Sequence, residues 1–554
     1  MCVGAAGHDG CVSAQVFRNA HLFDGLRHVG PGALGTRNGR IVAIGDPDEV
    51  RERVGPGAEE VDCLGGLLMP GFQDAHMHPM VGGLERLRCE MSGMGTVEEY
   101  LAALSGSAQR QRNATWFRAG GWSVAAFGPQ GPTAELLDTV VPDKPAFIPS
   151  SDHHDAWVNT RALELAGITA ETPDPPDGWI ERDAHGNPTG TLREAAQALV
   201  WDHVETTREE YADALREAQS HLHSWGITGW HDALIGGYAG LDDPTQAYLD
   251  LIDAGELTAY VRASQWWDRH RGTEQVEELL AQRDRLAGHG LDAGSVKVMM
   301  DGISETFTAT VTEPWLGELH CACGDSGLPF LSTEQAQEAV TALDAAGLQC
   351  HFHAIGDKAV RDALDAVEAA RLANGANDLR HQIAHMQLVR PQDRGRFRAL
   401  GVVANLQGMW AQRGTPAVSL AMPHLDAERA RWHYPFRDVL RAGARFAGGS
   451  DWPINPPEPV AAVHVLVNRT TYSAEGDAPQ PLVADQSIPV EVALSAYTAG
   501  SAWVNHRTDT GELLVGSRAD LVLLDRDVVT APSDEIGAAE VVGTWALGDR
   551  VFAR

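Results

Sequence analysis

The chain has 554 residues, 44% of them hydrophobic, which is enough to bury a large core. With 76 acidic and 43 basic residues its formal net charge is -33, and a surface of that sign repels phosphate backbones and argues against a nucleic-acid partner. No apolar run approaches the ~18 residues of a membrane span, and Met1 to Gln15 lacks the basic and apolar regions of a secretion signal.

The seven cysteines are odd in number and scattered, which is typical of reduced thiols. We therefore expect a cytoplasmic protein, with a small-molecule substrate and with a homodimer left open. The run His320-Cys321-Ala322-Cys323 resembles a metal motif, but its flanks are loop-like and hold no matching cysteine pair. We interpret it as a loop with incidental thiols.

Short β-rich runs fill residues 16–70, and Asn38-Gly39 among them predicts a tight hairpin turn. Residues 506–554 are again β-like near their end. We predict that residues 1–70 and 506–554 pack together as a small composite β-sandwich domain.

The run Gly71 to Pro79 carries His76 and His78 at the end of an apolar stretch. Residues two apart on a strand point to the same face, so the two imidazoles lie side by side. Pro79 ends the strand because proline cannot donate to a ladder. Paired imidazoles are ligands of Zn²⁺, although a single His-x-His is also common in ordinary surfaces and cores.

Residues 100–200 are too long for a plain connection between a strand and a helix. We predict an insertion that covers the substrate, and a surface subdomain without that role is the alternative. The chain has 15 tryptophans, and we expect some of them to line an aromatic pocket.

Lys297 lies within a run of Val and Met that predicts a strand buried on both faces. A buried ammonium is costly unless its charge is neutralised or changed. Next to a metal, carbamylation would convert Lys297 into a bridging carboxylate. A solvent-facing lysine on an edge strand is the alternative.

Three later strands also end on metal-competent side chains: His353, His385 and Asp451. For each residue considered alone, the alternative is an ordinary structural role. His353 and His385 would be hydrogen-bonded core histidines, and Asp451 would cap a helix. In parallel α/β barrels, however, the carboxyl ends of the strands meet on one face, and the recurrence indicates a site. His351 lies two residues before His353 and on the same face of the strand. It is either a hydrogen-bond partner that supports a metal ligand or a core residue.

We predict an α/β fold, a (β/α)8 TIM barrel over residues 71–505. Helix signals between the strands include a capping pattern at Ser332 and Gln335 and an apolar stripe after Gly356. The predicted strand ends are His78, Asp232, Ser264, Lys297, His353, His385, Leu406 and Asp451.

The ordered set His76-x-His78, Lys297, His353, His385 and Asp451 looks like the metal-ligand set of the amidohydrolase superfamily. The local motifs resemble amidohydrolase family 3, which includes N-substituted formamide deformylases, from about residue 14 to the C-terminus. They are specific for the superfamily and much less so for a substrate. These motifs are Pro70-Gly71-Phe72-x-Asp74-x-His76-x-His78, His154-x-x-Trp157-Val158-Asn159, His353-Ala354-Ile355-Gly356-Asp357, Gly449-Ser450-Asp451-Trp452-Pro453 and the run from Gly516 to Asp525.

The resemblance implies that His76 and His78 hold one Zn²⁺ and that His353 with His385 holds another. Lys297, as a carbamate, would bridge two ions, and an unmodified Lys297 predicts one ion. Other divalent metals stay open.

Asp451 is then both a metal ligand and the general base, and either the second metal or His385 polarises the substrate carbonyl. For Trp122, His154 and Trp157 the resemblance implies substrate contact.

The predicted reaction is hydrolysis of a C–N bond in a small non-peptide amide, such as an N-substituted formamide. Hydrolytic deamination or ring opening of a heterocycle is the second enzymatic alternative, because it uses the same metal-bound hydroxide. A third alternative, which is not an enzyme, is a catalytically inactive relative that binds a small ligand and has a regulatory role. The six filled ligand positions speak against it.

Overall fold

The computed structural model describes residues 14–91, 93–237, 243–317, 324–474 and 479–554. The His320–Cys323 run lies outside these residues, as do Cys2 and Cys11. Cys63, Cys89 and Cys350 are buried free thiols. In the described part of the chain, no helix combines the length and apolarity needed to cross a bilayer. The cytoplasmic location and the homodimer stay predictions.

The strands are numbered in chain order: β1 (Ala14–Phe23), β2 (His28–Arg37), β3 (Arg40–Gly45), β4 (Glu59–Asp62), β5 (Leu67–Pro70), β6 (Phe72–Met77), β7 (Phe117–Arg118), β8 (Ala146–Pro149), β9 (Asp155–Val158), β10 (Gly178–Arg182), β11 (Pro188–Glu194), β12 (Ile227–Ile235), β13 (Tyr260–Trp266), β14 (Asp292–Met299), β15 (Gln349–Ala354), β16 (Gln382–His385), β17 (Val403–Gln407), β18 (Phe446–Gly449), β19 (Leu521–Leu524), β20 (Val541–Ala546) and β21 (Asp549–Ala553).

The α-helices follow the same convention: α1 (Pro47–Val54), α2 (Pro79–Arg88), α3 (Val97–Arg110), α4 (Val124–Phe127), α5 (Ala134–Asp138), α6 (Thr160–Ala166), α7 (Ala198–Trp201), α8 (Arg208–Ser224), α9 (Thr245–Asp253), α10 (Val276–Ala287), α11 (Thr333–Ala345), α12 (Asp357–Asn374), α13 (Arg396–Leu400), α14 (Pro416–Ser419), α15 (Phe436–Arg441), α16 (Pro459–Asn468), α17 (Val490–Ser495) and α18 (Ser501–Val504).

The barrel is an eight-stranded parallel sheet in the order β6-β12-β13-β14-β15-β16-β17-β18. Its strands are almost wholly buried, as expected where helices cover the outside. The first and last strands join at their carboxyl ends, where the Asp451 N–H donates to the His76 carbonyl at 2.7 Å and the His78 N–H donates to the Trp452 carbonyl at 2.7 Å. The predicted TIM barrel is confirmed, with every strand ending within three residues of its predicted position.

The outer helices form where the sequence predicts them. Ser332 caps α11 through a reciprocal pair of bonds, Gln335 N–H to Ser332 Oγ at 3.2 Å and Ser332 N–H to Gln335 Oε1 at 2.9 Å. The next helix, α12, buries the predicted stripe against the barrel: Val360, Leu364 and Val367.

A second sheet joins the two ends of the chain, in the order β21-β20-β19-β5-β1-β2-β3 with β4 also beside β1. Strand β5 runs parallel to β1 on one side and antiparallel to β19 on the other. The predicted Asn38-Gly39 turn connects β2 to β3, and Gly39 has a φ of 74° that a side chain rarely adopts. This is the composite β-sandwich domain beside the barrel.

A third sheet, β10-β11-β9-β8-β7, lies within the long segment between β6 and β12. It is the framework of the predicted insertion. Residues of its loops and of α7 reach the carboxyl face of the barrel, where they line a cavity with the strand ends.

Candidate metal centre and active-site cavity

A cavity of about 620 Å³ lies over the carboxyl ends of the barrel strands. All six predicted ligand residues line it: His76, His78, Lys297, His353, His385 and Asp451. The insertion contributes the opposite wall through residues 152–154 and 194–201. The cavity therefore combines a polar floor from the barrel with a wall from another sheet.

Four side chains converge on one point of the floor. His76 Nε2 and His78 Nε2 lie 3.3 and 3.5 Å from Asp451 Oδ1, and Lys297 Nζ lies 3.3 Å from His76 Nε2. Donors that sit about 2.0–2.2 Å from a tetrahedral ion are about 3.3–3.6 Å from one another. These separations match those of a set of metal ligands.

His385 gives the strongest indication of a missing partner. It is 2% exposed, and both its ring nitrogens are buried without a hydrogen-bond partner among the described residues. Burial of an unpaired polar group costs free energy. Its Nδ1 lies 3.8 Å from Asp451 Oδ2, its ring 4.4 Å from that of His353, and Trp410 stacks on it at 5.1 Å. A divalent ion bound to one ring nitrogen of His385 would supply the partner that this nitrogen lacks.

The protonation states suit metal binding. Burial lowers the pKa of His76, His353 and His385 well below the ordinary value, so these imidazoles are neutral. Burial alone would raise the pKa of Asp451, but the hydrogen bond from His78 and nearby positive charge hold it below its usual range. Burial also lowers the pKa of Lys297 to about 8, which leaves a fraction of neutral amine at neutral pH.

A chain of hydrogen bonds supports His76 from within the barrel. His76 Nδ1 lies 2.7 Å from His351 Nε2, and His351 Nδ1 lies 3.2 Å from Ser264 Oγ. Ser264 Oγ lies 2.8 Å from His231 Nε2, whose Nδ1 lies 2.9 Å from Asn505 Oδ1. The chain holds the His76 ring so that its Nε2 faces Asp451 Oδ1 and Lys297 Nζ. His351 is thus the hydrogen-bond partner of His76.

Backbone contacts fix the strand ends around the cluster. Asp74 Oδ1 accepts the His76 N–H at 2.9 Å and its Oδ2 accepts the Ser450 N–H at 2.9 Å. His385 and Asp451 adopt left-handed backbone, with φ of 76° and 61°. Such strained conformations in residues other than glycine concentrate at functional sites.

His154 faces the cavity from the insertion. Its Nδ1 lies 2.8 Å from Glu194 Oε2, and Thr308 Oγ1 donates to Glu194 Oε1 at 2.9 Å. Burial alone would lower the pKa of His154, but the Glu194 charge and hydrogen bond raise it to about 9. Its ring is 5.8 Å from that of His353. A cation therefore lies on the cavity wall beside the cluster.

Trp122 and Trp157 do not line the cavity. Both are fully buried in the packing of the insertion, where the Trp122 indole donates to the Ile148 carbonyl at 2.9 Å and the Trp157 indole to the Thr133 carbonyl at 2.8 Å. This placement corrects the prediction that both contact the substrate. The aromatic walls come instead from Trp201, Trp266, Phe330 and Trp410.

The sequence does not predict the roles of Glu194 and Asn505. Glu194 has φ 48° and ψ -126° in a region that favours glycine, and neither residue belongs to a recognisable motif. The sequence predicts strand ends at Asp232 and Ser264, but not the hydrogen bonds of Ser264 and His231. His231 and Asp232 point away from the cavity lining, His231 to Ser264 and Asp232 to the Tyr248 hydroxyl at 2.6 Å.

Comparison with known proteins agrees with this geometry. The family model described as "Amidohydrolase family" matches residues 59–552. The chain belongs to the amidohydrolase family. It is accordingly a hydrolase of the amidohydrolase superfamily, in a family of metal-dependent hydrolases.

Three similar proteins span almost the whole chain. Protein LONG AFTER FAR-RED 3 of Arabidopsis thaliana is 29% identical over 94% of this chain and 88% of its own length. The N-substituted formamide deformylase of Arthrobacter pascens is 27% identical over 92% of this chain and 93% of its own. The crystal structure of an uncharacterized metal-dependent hydrolase from Pyrococcus horikoshii OT3 is 26% identical, covers 94% of this chain and 99% of that one, and has a TM-score of 0.71.

Proposed function

We propose that the protein is a Zn²⁺-dependent amidohydrolase that cleaves the C–N bond of a small non-peptide amide, such as an N-substituted formamide. The observation that carries the proposal is the convergence of four imidazoles, Asp451 and Lys297 on the floor of one cavity. The 27% identity to an N-substituted formamide deformylase supports the class of bond.

His76, His78 and Asp451 would hold one ion, and His353 with His385 would hold a second. Neutral imidazoles and a carboxylate are the donors that Zn²⁺ takes in catalytic sites with an open position. The lowered pKa of Lys297, about 8, favours the neutral amine that reacts with CO₂ to form a bridging carbamate. A bound divalent ion supplies hydroxide at neutral pH by lowering the pKa of water to near 7.

The protein's own groups then move the protons. Asp451, ionised and 4% exposed, accepts a proton from the attacking water and delivers it to the leaving nitrogen, so that a free amine departs. His385 has a second nitrogen with which to polarise the carbonyl. His154 uses Nδ1 for Glu194, and its Nε2 is the nitrogen that it offers to the developing oxyanion.

The remaining walls favour a hydrophobic substituent on the amide nitrogen. Trp201, Trp266 and Phe330 face the cavity together with aliphatic side chains. Aromatic and apolar walls with a few directed polar groups are typical of small-molecule sites. The proposed substrate therefore places its amide on the metal cluster and an aromatic group against these rings.

The test is an assay of N-benzylformamide and related amides with Zn²⁺, Mn²⁺ and Co²⁺ forms of the protein. The expected products are formate and a free amine in equal amounts. Release of ammonia instead would support deamination of a heterocycle. Saturable binding with no turnover in any metal form would favour the regulatory alternative and reject the proposal.

A further inference from the structure

We propose a second divalent-metal site, outside the active-site cavity, formed by His21, His28 and Asp527 in the composite sheet. His21 lies on β1 and His28 begins β2. Asp527 follows β19 at the other end of the chain. None of the three lines the cavity.

The donor atoms of the three side chains meet. His21 Nδ1 lies 3.3 Å and His28 Nε2 lies 3.0 Å from the same carboxylate oxygen, Asp527 Oδ2. The two rings are almost parallel, with an interplanar angle of 9° and centroids 6.0 Å apart. One ligand atom from each residue lies within 4.8 Å of the others. This compact N₂O set is the second of its kind in the described residues, beside that of His76, His385 and Asp451.

Ordinary hydrogen bonding does not explain the arrangement. Both nitrogens are buried atoms with no hydrogen-bond partner in the part of the chain that the structure describes. They are close enough to Asp527 Oδ2 for a hydrogen bond, so the bond fails in direction and not in distance. Both nitrogens therefore lack the partner that buried polar atoms require. An ion between them would supply it.

The ligands are held before any ion binds. Asp527 is 7% exposed, and its carboxylate accepts the Thr530 hydroxyl at 2.7 Å and the Val529 N–H at 3.0 Å. The His28 backbone N–H donates to Glu491 Oε1 at 2.9 Å. Fixed partners of this kind orient metal ligands and strengthen binding.

Two imidazoles and one carboxylate are donors for Zn²⁺, with water in the fourth position. The ion would connect the β1–β2 hairpin to the segment after β19. Because the unfolded chain separates these ligands, binding would favour the folded sheet. The site thus acts as a structural clamp between the two ends of the chain.

Zn²⁺ content is the first measurement. The wild-type protein, His21→Gln and His28→Gln are loaded with ZnCl₂, dialysed, and analysed for zinc per chain. His185→Gln is the matched control, because His185 is exposed and outside both clusters. We expect each cluster variant to hold one ion fewer than the wild type and the control. Equal zinc content in all four proteins would overturn the proposal.

A second measurement uses the wild-type protein alone, so it does not depend on the folding of a variant. Crystals soaked in ZnCl₂ give an anomalous difference map at the zinc edge. The expected result is a peak bonded to His21 Nδ1, His28 Nε2 and Asp527. Zinc at the cavity cluster without a peak at these three residues would overturn the proposal and leave the proposed hydrolase activity unaffected.

Discussion

Asp451 is the single side chain on which the proposed proton transfers depend. Its carboxylate contacts His76 and His78 and stays ionised despite deep burial. In Asp451→Asn the amide cannot accept a proton, and we expect turnover to fall by at least about 10²-fold, the lower end of general acid–base contributions. Initial rates with N-benzylformamide and circular dichroism check activity and folding together.

Glu278→Gln is the control for Asp451→Asn. Glu278 also lines the cavity but is 65% exposed and pairs with Arg271 at the rim. Exposed ion pairs of this kind contribute little because solvent screens them, so we expect near wild-type turnover. Wild-type rates in Asp451→Asn would contradict the assigned role.

The charge of His154 predicts a pH dependence. Its pKa is raised to about 9 by Glu194, so the imidazolium is present below that pH and is lost above it. We expect kcat/KM to decline as pH rises through about 9, and the decline to begin at lower pH in Glu194→Gln. NMR titration of His154 in both proteins assigns the group. An unshifted alkaline limb in the variant would contradict the pairing.

The same pair contributes to stability with a definite sign. Because the folded pKa of about 9 exceeds the unfolded value of about 6.5, the stabilisation is fully present below pH 6.5 and disappears as pH rises through 9. Loss of the His154 proton at alkaline pH therefore lowers both activity and stability.

At the scale of elements, the spacing of β6 and β18 sets the ligand geometry. A Cβ added at Gly449 would lie 2.8 Å from His76 Cβ and 2.9 Å from the His76 backbone nitrogen. We expect Gly449→Ala to displace His76, to reduce bound zinc, and to cost about 1–3 kcal/mol of unfolding free energy. Elemental analysis and urea denaturation measure the two effects.

Gly106→Ala provides the comparison for Gly449→Ala. Gly106 lies within α3, and an added Cβ there would have no atom within 4 Å. Alanine is the better helix former by about 0.5–1 kcal/mol, so we expect this protein to be slightly more stable with unchanged zinc. A stable, fully loaded Gly449→Ala would show that the strands tolerate a wider spacing.

The hydrogen-bond chain from His76 to Asn505 crosses several barrel strands, and it also predicts a measurable effect. Ser264→Ala interrupts the chain between His351 and His231, so the hydrogen-bond support behind His351 and His76 is lost. We expect zinc affinity to fall by about 10–100-fold, measured by competition with a chelator. Ser224→Ala, at the end of α8, should keep the wild-type affinity, and an equal affinity in Ser264→Ala would contradict the role of the chain.

Periodicity and strand ends predict most of this architecture, because a buried parallel strand leaves a continuous apolar run followed by a loop. That is why the sequence alone predicts the positions of His353, His385 and Asp451 at strand ends. The positions of Trp122 and Glu194 depend on how the insertion packs against itself and against the barrel. Trp122 turns inward to satisfy its indole N–H at Ile148, and no local pattern distinguishes that choice from a pocket role.

At the scale of the whole molecule, the composite sheet unites the two ends of the chain around β5. Strand β19 is fully buried beside β5, whereas β21 is an edge strand with exposed residues. The two strands therefore differ in what their loss uncovers. Removing β19 to β21 exposes the backbone edge and the buried side chains of β5, namely Leu67, Leu68 and Met69.

This difference predicts a graded response to truncation. Deleting residues 549–554 removes only the edge strand, and β20 takes its place as the edge, so we expect a folded protein with a lower Tm. Deleting residues 521–554 leaves β5 unpaired on one side, and such an edge favours association between chains. We expect that protein to aggregate, as seen by size-exclusion chromatography and thermal denaturation. A monodisperse 521–554 deletion with a Tm near that of the wild type would mean that the barrel folds and stays stable without the sheet that joins its ends.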